Sequence, residues 1–181
     1  MDTVLMLILF SVFLAVVLAL TIFGLFYVYY GLRHVSPFVP TSKKTVGEML
    51  AEIDAIEGKT VLDLGSGTGD IILAAARKGA RAIGVEINPF LVWITRWRIR
   101  RARLSDRATV IRGDFFKMPL PRADVVTLYL MSGPTAKLRP KMIEELPSHA
   151  VIISNSFRVE GWTPQKENNG VLVYRLPQKR P

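Results

Sequence analysis

Val61-Leu62-Asp63-Leu64-Gly65-Ser66-Gly67-Thr68-Gly69-Asp70 is the stretch on which the fold turns. Thr60–Leu64 has the pattern of a short buried strand. It breaks into three glycines at alternate positions, and a helical pattern, Ile71–Lys78, follows until Gly79 stops it. Gly65, Gly67 and Gly69 let the backbone bend sharply and approach a ligand without a Cβ in the way. Together with Ser66 they are candidate ligand contacts. The spacing is G-x-G-x-G, not the G-x-G-x-x-G of dinucleotide sites. Asp63 also argues against pyrophosphate. A carboxylate beside the loop repels phosphate but accepts a hydrogen bond from a ligand ammonium.

Outward from the loop, strands and helices alternate. Arg81–Glu86 reads as a second strand. Asn88 caps a helix with Pro89 at its first position, predicted to reach about Leu104. Ala108–Arg112 and Ala123–Leu130 are a third and fourth strand, a helix lies near Pro140–Leu146, and Ala150–Asn155 is a fifth strand. Thr163–Glu167 and Val171–Leu176 flank Asn168-Asn169-Gly170, a hairpin turn. Upstream, Thr45-x-x-Glu48 has the form of a capping box and opens a helix through Met49, Leu50, Ile53 and Ile56 to Gly58. Repeated βα units predict an α/β, Rossmann-like, doubly wound sheet that binds ligands at the carboxyl ends of its strands.

Two further acids fall at such ends. Glu86 closes the second strand, where its carboxylate can accept both hydroxyls of a ribose. Asp114, in Arg112-Gly113-Asp114-Phe115, can accept from an adenine amino group, with Phe115 against the ring. Any one such acid is more often a turn or cap residue, but three in register with the strands are poorly explained that way. Ammonium, ribose and adenine together describe S-adenosylmethionine, with S-adenosylhomocysteine as its product. The chain has no cysteine and only two histidines, His34 and His149. Thiolate zinc, iron–sulfur and cysteine-nucleophile chemistry are therefore excluded, and no metal is expected.

The D-x-G-x-G-x-G pattern with its later acids resembles the class I seven-β-strand methyltransferases from Thr60 to the C-terminus. That resemblance implies the sheet order 3-2-1-4-5-7-6 with strand seven antiparallel. A narrower likeness rests on Phe38-Val39-Pro40-Thr41, Gly84-Val85-Glu86-Ile87-Asn88-Pro89, Arg112-Gly113-Asp114-Phe115 and Ser154-Asn155-Ser156-Phe157. These segments are similar to the membrane-anchored protein lysine methyltransferases, whose mitochondrial members modify the ATP synthase c-subunit and the adenine nucleotide translocase. The likeness implies Ile87 and Asn88 as further cofactor contacts, and Thr41 as a residue that helps close the cofactor site. From the residues alone, Thr41 is a helix-start signal.

In that family fold the acceptor approaches near the end of the fourth strand, here Tyr129-Leu130-Met131. A lysine nucleophile must lose its proton before it attacks, so desolvation or hydrogen-bond acceptors should favour the free amine. Tyr129 is a candidate to orient it, and an inward-facing strand aromatic is the equal alternative. Asn155, with Ser154 beside it, is the second candidate, and it reads equally well as a turn residue. Trp162 is a candidate wall of an acceptor channel or a residue packed beneath the hairpin. The sequence holds no Asn-Pro-Pro-Tyr, which weakens amino-purine or glutamine methylation.

Composition divides the chain. Half of the residues are hydrophobic, yet the net charge is +9. Thr3–Leu32 contains no charged residue and ends in Tyr27, Tyr29 and Tyr30. A spanning helix needs about 20 apolar residues, and tyrosines suit the headgroup interface. A cleaved signal peptide would need a basic start and a small-residue cleavage site, whereas the early charge is Asp2. All 24 basic residues follow position 32, against 14 of the 15 acids, so the remainder carries +10. Arg33, Lys43 and Lys44 then place the C-terminal portion on the cytoplasmic side of a single-pass membrane protein. The expected division is an anchor at 1–32, a linker at 33–44 broken by Pro37 and Pro40, and a catalytic domain at 45–181.

Between Trp93 and Arg112 lie seven arginines and one acid, Asp106. Arg96, Arg100, Arg103 and Arg107 would share a face if the helix continued that far. That face suits anionic lipid, RNA or solvent, although no dedicated nucleic-acid module is visible. The leading expectation is a membrane-anchored, S-adenosylmethionine-dependent lysine methyltransferase acting on a membrane or membrane-associated protein. The alternatives are a lipid, quinone or other small-amphiphile acceptor, RNA, and an anchored binding module with a vestigial cofactor site.

Overall fold

The computed structural model describes residues 3–33 and 41–176. His34, Pro37, Phe38, Val39 and Pro40 lie outside the described residues, and so does most of the expected linker. The side chains of Tyr27 and Tyr30 lie outside them too. The chain forms two compact units, an N-terminal helix and an α/β unit.

Thr3–Arg33 forms α1. Within it, Thr3–Leu25 has mean hydropathy 3.0 and is long and apolar enough to cross a membrane, a test that a signal sequence also passes. Its two hydroxyl groups beyond the first residue are satisfied inside the helix. Ser11 Oγ donates to Leu7 O at 2.8 Å, and Thr21 Oγ1 donates to Val17 O at 2.9 Å. An apolar solvent demands this of any hydroxyl it surrounds.

The second unit runs α2 (Lys43–Ala51), β1 (Thr60–Leu64), α3 (Asp70–Arg77), β2 (Arg81–Glu86), α4 (Pro89–Arg101), β3 (Ala108–Arg112), β4 (Val125–Leu128), α5 (Ser132–Glu145), β5 (Val151–Asn155), β6 (Lys166–Asn168) and β7 (Val171–Arg175). The strands form one sheet in the order β3-β2-β1-β4-β5-β7-β6, parallel except for β7, which is antiparallel to β5 and β6. This is the order that the resemblance implied.

Strand alternation explains the layers. Val61, Ala82, Val110, Val125 and Ile153 face the apolar sides of α2, α3 and α4. Leu62, Val85, Val126, Leu128 and Ile152 face the other way, against Leu138 and Met142 of α5. Burying each of the larger of these side chains contributes about 1.5–3 kcal/mol.

Several boundaries differ from expectation. Ser42, not Thr45, caps α2, and its Oγ accepts from the Thr45 N–H at 3.1 Å. The helix stops at Ala51, well before Gly58, and Ala55 turns with φ +42°. Helix α4 ends at Arg101 because Arg103 adopts φ +55°. Arg103 and Arg107 therefore leave the helical face expected for them. Helix α5 starts at Ser132 and runs through Pro140. The proline removes one backbone hydrogen bond, while the fully buried Leu138 and Met142 hold its flanks to the core. In the hairpin, Asn168 pairs with Val171, and Asn169 and Gly170 turn with φ +49° and +79°. The β6–β7 hairpin is held to α2 and its C-cap by Asn169 Nδ2 to Glu48 Oε1 at 3.3 Å and by Lys166 with Glu52 at 2.6 Å.

Candidate active site

The sheet brings the sequence-predicted acids to one edge. Asp63 stands in β1 directly beside Thr127 of β4. Thr127 Oγ1 donates to Asp63 Oδ1 at 2.7 Å. Glu86 ends β2, and the Gly113 N–H beyond β3 donates to its carbonyl at 3.0 Å. Asp114 thus follows directly on the edge that Glu86 closes.

The loop is fastened from several sides. Gly65 and Ser66 N–H both donate to Val85 O, at 2.9 and 3.1 Å. Gly65 and Gly69 have φ +81° and +80°, a region that a Cβ makes costly. Glu86 Oε2 accepts from the Gly67 N–H at 2.9 Å, and its Oε1 accepts from the Asn88 N–H at 2.8 Å. Each oxygen keeps a free lone pair, so the ribose role expected of Glu86 needs no broken bond. Helix α4 supplies two further holds that sequence reading missed. Thr95 Oγ1 donates to Gly67 O at 2.9 Å. Arg98 pairs with Asp70 at 2.7 Å and donates to Thr68 O. A polar Thr95 between buried Val92 and Ile99 was the available signal.

Burial, aided by the nearby charges of Glu86 and Asp70 and opposed by the hydrogen bond from Thr127, pushes the Asp63 carboxyl up to about 7. Burial also pushes Asp70 up, but hydrogen bonds from Arg98 and Thr68 outweigh it and hold Asp70 below the usual carboxylate range. Arg98 thus compensates Asp70, and no charged partner compensates Asp63 among the described residues. Ser66 Oγ is buried without a hydrogen-bond partner. It lies over β2, 2.5 Å from where a Cβ on Gly84 would stand.

The remaining expected contacts are placed less uniformly. Asp114 Oδ1 accepts from the Phe116 N–H at 2.9 Å, a turn role that leaves its other oxygen 3.7 Å from Lys117 Nζ. Phe115 packs against Phe116 with centroids 4.6 Å apart. Asn88 Oδ1 caps α4 through the Phe90 N–H at 2.9 Å, so its side chain serves the helix. Ile87 and Thr41 are half-buried.

On the acceptor side, Tyr129 follows β4 and its ring lies 6.1 Å from that of Phe157. Asn155 ends β5, is buried, and accepts from Ser156 Oγ at 3.3 Å. Ser154 Oγ donates to Phe157 O at 2.6 Å, so Ser154 shapes the turn. Trp162 contacts Tyr174, with centroids 6.1 Å apart. Tyr174 pairs with Ile152, three residues back from the carboxyl end of β5. Trp162 therefore packs, partly buried, on the sheet face that α5 covers. Among the described residues, no three His, Asp or Glu side chains cluster as metal ligands do. His149 contacts Asp124 at 3.1 Å, at the opposite end of the sheet.

An acid-rich, buried edge with a spare hydroxyl and an uncompensated carboxyl suits a cationic nucleoside. Such an edge, at the carboxyl ends of this strand order, is that of an S-adenosylmethionine-dependent methyltransferase of the seven-strand class. Residues 63–166, more than half of the chain, match the ANTKMT methyltransferase domain, and the chain belongs to that family. A protein-lysine N-methyltransferase of Saccharolobus islandicus is 34% identical over 132 residues, which cover 72% of this chain and 82% of that protein. The human lysine N-methyltransferase of the ATP synthase c-subunit is 34% identical over 71% of this chain. The chain spans about half of that relative's length, 54%. Among solved structures, an RNA methyltransferase from Salinibacter ruber, in complex with S-adenosyl-L-homocysteine, superposes with a TM-score of 0.74 at 37% identity. That match covers 79% of this chain and 97% of the other. When bound, the cofactor supplies a methyl group on an electrophilic sulfonium. The chain's own residues hold the loop, supply acceptor oxygens at the edge and exclude water from Asp63.

Proposed function

We propose that the chain is a protein-lysine N-methyltransferase, anchored by α1 in a single-pass arrangement with the catalytic unit on the cytoplasmic side. Its substrate is a membrane or membrane-associated protein. The observation that carries the reading is the likeness to lysine methyltransferases across the residues that build the acid-rich edge. The division into an anchor at 1–32, a linker at 33–44 and a catalytic domain at 45–181 belongs to the same reading.

In this assignment Asp63 accepts from the cofactor ammonium, directly or through water. Glu86 accepts from the ribose, and Asp114 with Phe115 holds the adenine. Gly65, Ser66, Gly67 and Gly69 line the loop, with Ile87, Asn88 and Thr41 as outer contacts. Tyr129 and Asn155 orient the lysine amine, and Phe157 joins Tyr129 as a wall. Exposed Arg96 and Arg100 of α4 meet anionic lipid, without Arg103, which the turn at φ +55° takes off their face. A tether raises the effective concentration of membrane partners.

RNA is the second reading, and the Salinibacter ruber likeness favours it. The test is transfer of labelled methyl groups into membrane fractions from cells that lack the protein. Label in lysine of a membrane protein is expected. Label confined to RNA or to lipid refutes the lysine assignment.

A further inference from the structure

Helix α4 has two different faces. Val92, Thr95 and Ile99 point into the core. On the opposite side, Trp93 and Trp97 are 64% and 56% exposed, and Phe90 is 43% exposed. Positions 90, 93 and 97 follow one another along a single helical stripe. The rings of Phe90 and Trp93 are stacked, with centroids 6.0 Å apart. Arg96, Arg100 and Arg101 flank this ridge, are exposed, and pair with no acid among the described residues. Three adjacent exposed aromatics are not a scattered surface hydrophobe.

We propose that this face of α4 docks on the surface of an anionic bilayer. The indoles of Trp93 and Trp97 sit at headgroup depth, and Arg96, Arg100 and Arg101 meet lipid phosphates. Indoles are amphipathic, with an apolar body and one N–H that needs a polar partner, which is the environment the headgroup region offers. The flanking charge is wholly positive over six residues, so it complements a negative surface. RNA also attracts arginine and aromatics, but bases stack on platforms and along grooves, whereas these rings stand on the exposed side of one helix, with Phe90 and Trp93 already stacked on each other. The proposal rests on the anchor reading, because α1 is what keeps the bilayer within reach. It deepens the arginine–lipid contact of that reading by adding the indoles of Trp93 and Trp97 and one defined face of α4 that orients the catalytic unit.

The test uses the full chain carrying Trp162→Phe, so that Trp93 and Trp97 are the emitting indoles. It is reconstituted in nanodiscs of phosphatidylcholine, with and without phosphatidylglycerol. The expected result is quenching of tryptophan emission by acyl-brominated lipid, stronger in the anionic discs and reduced by high salt. Replacing Arg96, Arg100 and Arg101 by glutamine should lower the docked-to-undocked ratio roughly fivefold per arginine. Discs that retain the chain but leave both indoles unquenched overturn the docking face alone. A chain that the discs fail to retain overturns the anchor and the docking together. Indoles shielded by added single-stranded RNA but not by lipid assign the face to RNA and refute the proposal.

Discussion

At the carboxyl ends of β1 and β2, polar groups are held by partners fixed in the backbone or the core. Glu86 takes two backbone N–H groups, Asp63 takes the Thr127 hydroxyl, and Gly67 O takes Thr95. At the ends of β4 and β5 the furniture is sparser. Tyr129 and Phe157 touch as rings, and Asn155 meets one serine hydroxyl at 3.3 Å. The first half is preorganised for one ligand, since most of its geometry is settled before anything binds. The second half, to which the proposal gives the acceptor, is shaped by side-chain packing. A fold that serves many acceptors with one cofactor has reason to divide its edge in this way.

Substitutions on the two halves should therefore separate cofactor affinity from turnover. The largest effect is expected from Glu86→Ala, which frees two backbone donors and removes the proposed ribose acceptor. Charge-assisted hydrogen bonds contribute about 1.5–3 kcal/mol each, so calorimetry with S-adenosylhomocysteine should show affinity lower by roughly a hundredfold or more. An unchanged affinity would remove Glu86 from the site.

Asp63→Asn sharpens the contrast, because stability and binding should move in opposite directions. The unfolded carboxyl releases its proton near 3.8, whereas the folded one keeps it to about 7. Stability of the free protein should thus fall as pH rises between these values and stay lower above them. The variant keeps an oxygen for Thr127 and loses the buried charge. At pH 8 its melting temperature should exceed that of the parent, by an amount on the order of a few kcal/mol in stability. Its affinity for S-adenosylmethionine should nevertheless drop about tenfold. The parent should bind the cofactor more tightly at pH 8 than at pH 6, since a cationic ligand favours the carboxylate. A flat profile, or a variant melting below its parent at pH 8, contradicts this account of Asp63.

Tyr129→Phe belongs to the other half. It should lower kcat about tenfold with the cofactor dissociation constant unchanged. Equal losses in both would place Tyr129 with the cofactor. The smallest effect is expected from Arg98→Ala, which unpairs Asp70 and removes one of the two holds of α4 on the loop while leaving Thr95, Asp63, Glu86 and Asp114 in place. It should weaken cofactor binding by about 1 kcal/mol, read by calorimetry as a modest rise in dissociation constant.

Legibility in the sequence followed the same divide. Asp63, Glu86 and Asp114 announced themselves because strand ends and turn residues leave local marks, and β1, β2 and β3 fall at their expected bounds. Thr127, Thr95 and Arg98 did not, because their meaning arises only when distant segments meet. Helix α5 was half hidden because Pro140 disguised it as a helix start. The face of α4 was misjudged because no residue type near Arg101 announces the positive φ at Arg103. Trp162 stayed open between channel wall and packing, since its partner Tyr174 reaches it only once β7 has folded back beside β5.

The close approach of Ser66 to Gly84 has a consequence for how such chains can diverge. A methyl group at 84 would stand 2.5 Å from Ser66 Oγ and 2.8 Å from its Cβ, but 3.2 Å from the pliable tip of Ile72. Position 84 can therefore grow only after position 66 has shrunk. Over generations the two sites behave as one unit of volume with a fixed order of change. Ser66→Gly opens the way to Gly84→Ala, while the reverse path passes through an overpacked, destabilised sequence.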